Sequence, residues 1–176
     1  MERTVDIILA FSNALWRLLA EASKKHGLSP LQGQIALYLA KRGEASVTQI
    51  ARELAVSIST ASESLKSLAR MGYVEAARGD DRRVKVVKLT EAGRGVAREI
   101  SRIYDALAAA VAGLNYAERA LLHMLFAKII GELIDRGLVE TPRTCIGCPF
   151  FDGESYICRL AERPLRRAAA RATTSA

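Results

Sequence analysis

Residues 46–72 hold two helical patterns separated by a very tight turn, and no other stretch constrains the fold as strongly. Ser46 and Gln49 have the spacing of a capping box, in which a hydroxyl and an amide satisfy orphan backbone groups of a helix's first turn. Ile50, Ala51 and Leu54 give the first helix one apolar face, and the small Ala51 lets a second helix cross closely. The turn falls at Ala55 and Val56. Ser57 or Ser59 caps the second helix, whose Ile58, Ala61, Leu65 and Leu68 recur at helical spacing and are expected to face the core.

The outer face of that second helix is left with Ser59, Thr60, Glu63, Lys66 and Arg70, with Ser62 at its border and Ser57 at its leading end. These are side chains suited to a DNA groove. Hydroxyls serve base edges or phosphates, a carboxylate such as Glu63 accepts from a cytosine amino group, and Lys66 serves a phosphate or a guanine. A solvated amphipathic helix would show the same pattern, so the flanking sequence decides. Gly72 supplies a stop. Residues 73–78 then begin a strand that breaks at Gly79, Asp80, Asp81, Arg82 and Arg83, and the valine-rich residues 84–89 return before Thr90 and Glu91 open another helix. A two-stranded wing with arginines at its tip thus follows the reading helix. Arg82 and Arg83 suit phosphates or a narrow minor groove, and Asp80 or Asp81 can orient a guanidinium by a bidentate pair.

Asp81-Arg82-Arg83, the valine-rich strand and Leu89-Thr90-Glu91-Ala92-Gly93 together resemble the wing and following helix of the MarR family of winged-helix regulators, over roughly residues 5 to 138. The resemblance implies a homodimer in which each subunit places a recognition helix in the major groove and a wing arginine in the minor groove, usually repressing nearby genes. By position, Arg83 is similar to the wing arginine and Asp81 to its carboxylate partner. Ala55 departs from the pattern, because glycine often stands at this turn. The family also often binds small aromatic effectors between its dimer helices and DNA-binding lobe, for which Trp16, Tyr38 and Tyr104 are candidate lining residues; aromatics at helical spacing also serve as core.

The expected fold is mainly α with a small β-hairpin wing: a winged helix-turn-helix whose N- and C-terminal helices form a dimerisation region. Residues 1–28 are assigned to an N-terminal dimerisation helix, 29–98 to the DNA-binding lobe, 99–140 to C-terminal dimerisation helices, and 141–176 to an appended cysteine segment with a basic tail. The opening helix ends at Gly27, and Asp6, Asn13, Arg17 and Glu21 make it too polar for a membrane span or a signal peptide. Ser29-Pro30-Leu31-Gln32 is a second capping box, leading to Ile35, Leu37, Tyr38 and Leu39 and stopping near Gly43. Residues 116–136 carry Leu121, Leu122, Met124, Leu125, Phe126, Ile129, Ile130, Leu133 and Ile134. So little polar face points to burial on several sides, by a dimer partner or within a monomeric bundle.

With 26 lysines and arginines against 19 acids, the net charge is +7, which favours a polyanionic partner. Lys66, Arg70, Arg78, Arg82, Arg83, Lys85, Lys88, Arg94 and Arg98 concentrate this charge in and after the reading unit, so binding is expected to weaken steeply with salt. All three cysteines, Cys145, Cys148 and Cys158, lie in the appended segment. Two thiolates two residues apart can grip one metal ion, Cys158 can return as a third ligand, and Cys148-Pro149 also resembles iron–sulfur ligation. Zinc, an iron–sulfur cluster, a Cys145–Cys148 or longer disulfide and plain buried thiols all fit. The fourth ligand is unassigned: His26 and His123 are the only histidines, and His123 sits inside an apolar helix. Residues 159–176 form an arginine- and alanine-rich tail, either frayed or adding phosphate contacts.

No nucleophile, base or carboxylate constellation suggests an enzyme. The sequence therefore points to a cytoplasmic, dimeric transcriptional regulator on a pseudo-palindromic operator, controlled at its cysteines or by a small-molecule effector. A sequence-indifferent architectural protein that coats double-stranded DNA is the alternative.

Overall fold

The computed structural model of the chain describes residues 2–78, 85–138, 151–152 and 157–158. Local signals set its helix boundaries. Helix α1 (Glu2–Lys24) stops where Gly27 turns to φ +69° and Leu28 N–H reaches back to Ser23 O. Helix α2 (Pro30–Arg42) opens on the full capping box: Ser29 Oγ accepts from Gln32 N–H at 3.2 Å while Gln32 Oε1 accepts from Ser29 N–H at 2.8 Å. Pro30 takes the first helical position, where its missing N–H costs nothing. Gly43, at φ +81°, ends the helix.

Next come β1 (Glu44–Ser46), α3 (Val47–Glu53), α4 (Ile58–Arg70), β2 (Val74–Arg78), β3 (Lys85–Leu89), α5 (Glu91–Ala112) and α6 (Tyr116–Asp135). A short pair, β4 (Phe151–Asp152) and β5 (Ile157–Cys158), follows. The wing strands have a third partner. β1 lies antiparallel on the far side of β3, so the sheet order is β1-β3-β2, with Ala45 opposite Val87 and Ser46 opposite Val86. Pairing on both sides makes β3 a central strand and satisfies backbone groups that a two-strand hairpin would leave on an open edge.

The chain divides into two compact units, Met1–Ala109 and Ala110–Ala176. In the first, Ile35 and Leu39 of α2, Ile50 of α3, Leu68 of α4 and Ile100 of α5 are fully buried in one core. Each such side chain contributes about 1.5–3 kcal/mol of hydrophobic stabilisation, so the helix-turn-helix and α5 share a foundation. At the α1–α2 crossing, Ser23 is wholly buried and its hydroxyl donates to Leu19 O at 2.7 Å. A β-carbon at Gly33 would overlap Ser23 Oγ, so glycine is what permits this approach. The rest of α1 is less covered: Val5, Ile7, Leu9, Phe11, Trp16 and Leu18 are exposed in the single chain.

The second unit contains α6. Asn115 caps it reciprocally with Glu118, Oδ1 accepting from Glu118 N–H at 3.0 Å and Glu118 Oε2 accepting from Asn115 N–H at 2.8 Å. Leu121, Met124, Leu125, Ile129 and Leu133 are exposed along it. The side chain of His123 lies outside the described residues.

Candidate nucleic-acid interface

The α3–α4 turn fixes the angle at which α4 is presented. Leu54 N–H and Val56 N–H return to the carbonyls of Ile50 and Ala51, both at 3.0 Å, while Ala55 takes the left-handed conformation at φ +53°. Among the described non-glycine residues, Ala55 alone does so. Ser57 is the cap of α4, its Oγ accepting from Thr60 N–H at 3.0 Å, and it also lies 2.8 Å from Ser59 Oγ and 2.7 Å from Thr60 Oγ1. Of the two serines that the sequence leaves open as caps, the fold uses Ser57.

Helix α4 splits cleanly into two faces after its first turn. Ala61, Leu65 and Leu68 are buried; Ser57, Ser59, Thr60, Glu63, Lys66 and Arg70 are exposed, and Ser62 is half-buried at the border. Ile58 does not face the core as its spacing predicts. Ile58 continues the apolar stripe in sequence, yet it is 57% exposed. The stripe from Ile58 to Leu68 runs about 15 Å along the helix axis, and its first residue overhangs the packed helices.

A clasp that the sequence signals only as a helix start ties the far end of α4 to α5. Thr90 N–H donates to Tyr73 O at 3.0 Å, and Thr90 Oγ1 donates to Gly72 O at 2.6 Å while accepting from Gly93 N–H at 3.1 Å. Gly93 is pressed against the same chain segment, and a β-carbon there would overlap Tyr73 O. The Thr-x-x-Gly spacing in residues 90–93 is the signal that carries it.

The basic footprint is narrower than the sequence suggests. Lys88 Nζ lies 3.4 Å from Glu75 across the β2–β3 pair. Arg94 binds Glu91 through Nε at 3.0 Å and Nη2 at 2.7 Å and also donates to Leu89 O; Arg98 Nη2 lies 3.6 Å from Glu91. These guanidinium groups, Arg94 first by its hydrogen bonds, hold the Glu91 carboxyl below its ordinary pKa. Three of the cations that favour a polyanion are therefore paired with two acids of the chain itself, Arg94 and Arg98 sharing Glu91. Lys66, Arg70 and Lys85 remain exposed, with no ion pair among the described residues. The wing-tip residues Asp81, Arg82 and Arg83, and the side chain of Arg78, lie outside the described residues.

A cavity of about 300 Å³ opens between α1, α2 and α5, lined by Trp16, Leu19, Gln34, Ile103 and Tyr104 among others. Of the three candidate aromatics, Trp16 and Tyr104 meet there. Tyr38 instead belongs to the core, with its hydroxyl buried and without a hydrogen-bond partner among the described residues. Burial raises the pKa of the Tyr104 phenol, and Lys41 Nζ sits 5.0 Å from its ring centroid. Cys145 and Cys148 lie outside the described residues, and Cys158 is placed by its backbone in β5, opposite Phe151. Among the described residues, no group of three or more His, Cys, Asp or Glu could hold a metal ion, and no helix is long and apolar enough to cross a membrane.

A capped second helix with a polar outer face, followed by an antiparallel sheet built from the strands on either side of the wing tip, defines a winged helix-turn-helix protein. Within that class its likeness is to the MarR family, whose model matches residues 26–83, a span that begins in the turn before α2 and takes in α3, α4 and β2. FabT from Streptococcus pneumoniae, solved in complex with DNA, aligns with a TM-score of 0.65 and 26% identity, covering 76% of this chain and 97% of that one. Reduced MarR from E. coli aligns at 0.57 and 21%, covering 70% and 93%. A mutant MarR from E. coli complexed with operator DNA aligns at 0.56 and 21%, covering 70% and 91%. No curated protein matches the chain.

Proposed function

We propose that the chain is a non-enzymatic transcriptional regulator, a repressor, that binds a pseudo-palindromic operator in double-stranded DNA as a homodimer. The carrying observation is α4. Its inner face is locked into the core, and its outer face offers Ser59, Thr60, Glu63 and Lys66 with Ser62 beside them, side-chain types that read a major groove. FabT and MarR, of the same fold, were solved with DNA and operator DNA. In this reading Arg83, and Arg82 beside it, enter the flanking minor groove, and Asp81 orients the arginine.

Selection of tight-binding duplexes from a random pool tests this reading. A regulator enriches an inverted repeat with half-sites about one helical turn apart, whereas an architectural protein retains all sequences alike. On the enriched site, Arg83→Ala is expected to weaken binding and to reduce the salt slope by about one; an unchanged affinity and slope would refute the wing assignment. The Trp16 and Tyr104 cavity is the place where a small-molecule effector fits, at the lower end of ligand-pocket volumes of roughly 300–1,000 Å³.

Cys145, Cys148 and Cys158 are proposed to hold zinc or an iron–sulfur cluster that controls DNA binding. The support is the two-residue spacing of the first pair and the β4–β5 register, which sets Cys158 opposite Phe151, three residues beyond Cys148. The group would supply a metal- or redox-dependent constraint on the segment, the cysteines being its thiolate ligands. Metal analysis and an absorption spectrum of anaerobically purified protein decide the matter: protein free of zinc and iron contradicts the proposal.

A further inference from the structure

We propose that Ile58 is a specificity determinant that seats the 5-methyl group of a thymine in each half-site. This assignment rests on the DNA-reading function proposed above and names one contact within it. Ile58 is the first residue of α4, the helix whose leading end approaches base edges in helix-turn-helix proteins. It stands 57% exposed, while the apolar residues one, two and three turns further along, Ala61, Leu65 and Leu68, are buried.

The side chains around Ile58 narrow what it can meet. Ser57 Oγ is bound to Thr60 N–H, to Ser59 Oγ and to Thr60 Oγ1, so the hydroxyls at this end of the helix are turned onto one another. Part of their hydrogen-bonding capacity is taken up by the cap, and the apolar group exposed beside them at the leading edge is the branched isoleucine. Adenine, guanine and cytosine present only donors and acceptors in the major groove; thymine adds the C5-methyl, the one apolar mark there. A solvent-facing isoleucine beside that methyl buries apolar surface on both partners, with no hydrogen bond to satisfy. A polar base edge at the same place would be desolvated without a partner. The residue therefore discriminates by attraction to thymine and by a penalty against its competitors.

The test uses the full chain and the operator enriched by selection. Each thymine is replaced singly by uracil, which removes the 5-methyl and leaves every hydrogen-bonding group in place. Wild-type protein is expected to lose roughly three- to tenfold in affinity at one thymine of each half-site, the scale of one or two buried methyl groups. Ile58→Ala binds the parent operator more weakly by a similar factor and no longer distinguishes thymine from uracil at that position. Ile58→Val retains part of the discrimination. An unchanged melting temperature for Ile58→Ala checks that the helix is intact. If Ile58→Ala keeps the wild-type thymine-to-uracil ratio at every position, or binds the operator as wild type does, the assignment is wrong while operator reading stands. If selection enriches no sequence, both fall.

Discussion

Ala55 marks where one residue carries the geometry of the helix-turn-helix. Its φ of +53° is a conformation that costs an L-residue roughly 1–2 kcal/mol and glycine far less. The turn tolerates the strain because Leu54 and Val56 are tied back to α3 on either side of it. Ala55→Gly is therefore expected to stabilise the protein by about 0.5–1 kcal/mol, the relieved strain being partly offset by the greater freedom of glycine in the unfolded chain. Urea unfolding of the two proteins measures it, and a destabilised glycine variant would contradict the strain argument. The position of this turn was legible in the sequence, since capping signals at Ser46 and Ser57 bracket it within a few residues. The exposure of Ile58 was not. Periodicity reports which side of a helix a residue lies on, but not how far the neighbouring helices extend along it.

Helices α4 and α5 are joined by the clasp at Thr90 and Gly93, so a change at one element should be felt at the other. Gly93→Ala would push a methyl into Tyr73 O, a backbone atom that cannot rotate away. We expect a loss of about 1–3 kcal/mol, as for other over-packed sites. Gly95 lies two residues further along the same helix, and a β-carbon added there would meet nothing within 4 Å. At that position alanine should stabilise by up to about 1 kcal/mol through helix propensity alone. Thermal melts of the pair give opposite signs if the clasp is a packing constraint, and equal signs if only propensity matters. The start of α5 at Thr90 and Glu91 was readable from local chemistry. Its attachment to Tyr73, like the pairing of β1 with β3, joins residues distant in sequence, and no local pattern at 44–46 distinguishes a strand from a loop. The pairing of Lys88 with Glu75 was hidden for the same reason, because it depends on the β2–β3 register.

At the scale of the whole molecule, the exposed apolar residues of α1 and α6 are what a lone chain does not account for. Leu121, Leu125, Ile129 and Leu133 recur every four residues along α6, with Met124 three residues after Leu121, which gathers them on one side of the helix. A contiguous apolar strip of this kind is unusual on a monomer's surface and usual at an interface. A second copy of the chain is the partner that the proposed pseudo-palindromic operator would require, since a twofold site is matched by a twofold protein. Sedimentation of the wild-type protein should therefore show a dimer, and Leu125→Glu combined with Ile129→Glu should shift it toward monomer. In the first unit the helix-turn-helix keeps its own buried core, so the variant should still recognise each half-site of the proposed operator. What the variant loses is the linkage of two half-sites, which lowers operator affinity by roughly 10²- to 10⁴-fold without any change to α4. Helical content by circular dichroism separates this outcome from simple unfolding. A wild-type monomer, or a monomeric variant that binds the full operator as tightly as the parent, would break the connection between the strip on α6 and the reading of a twofold site.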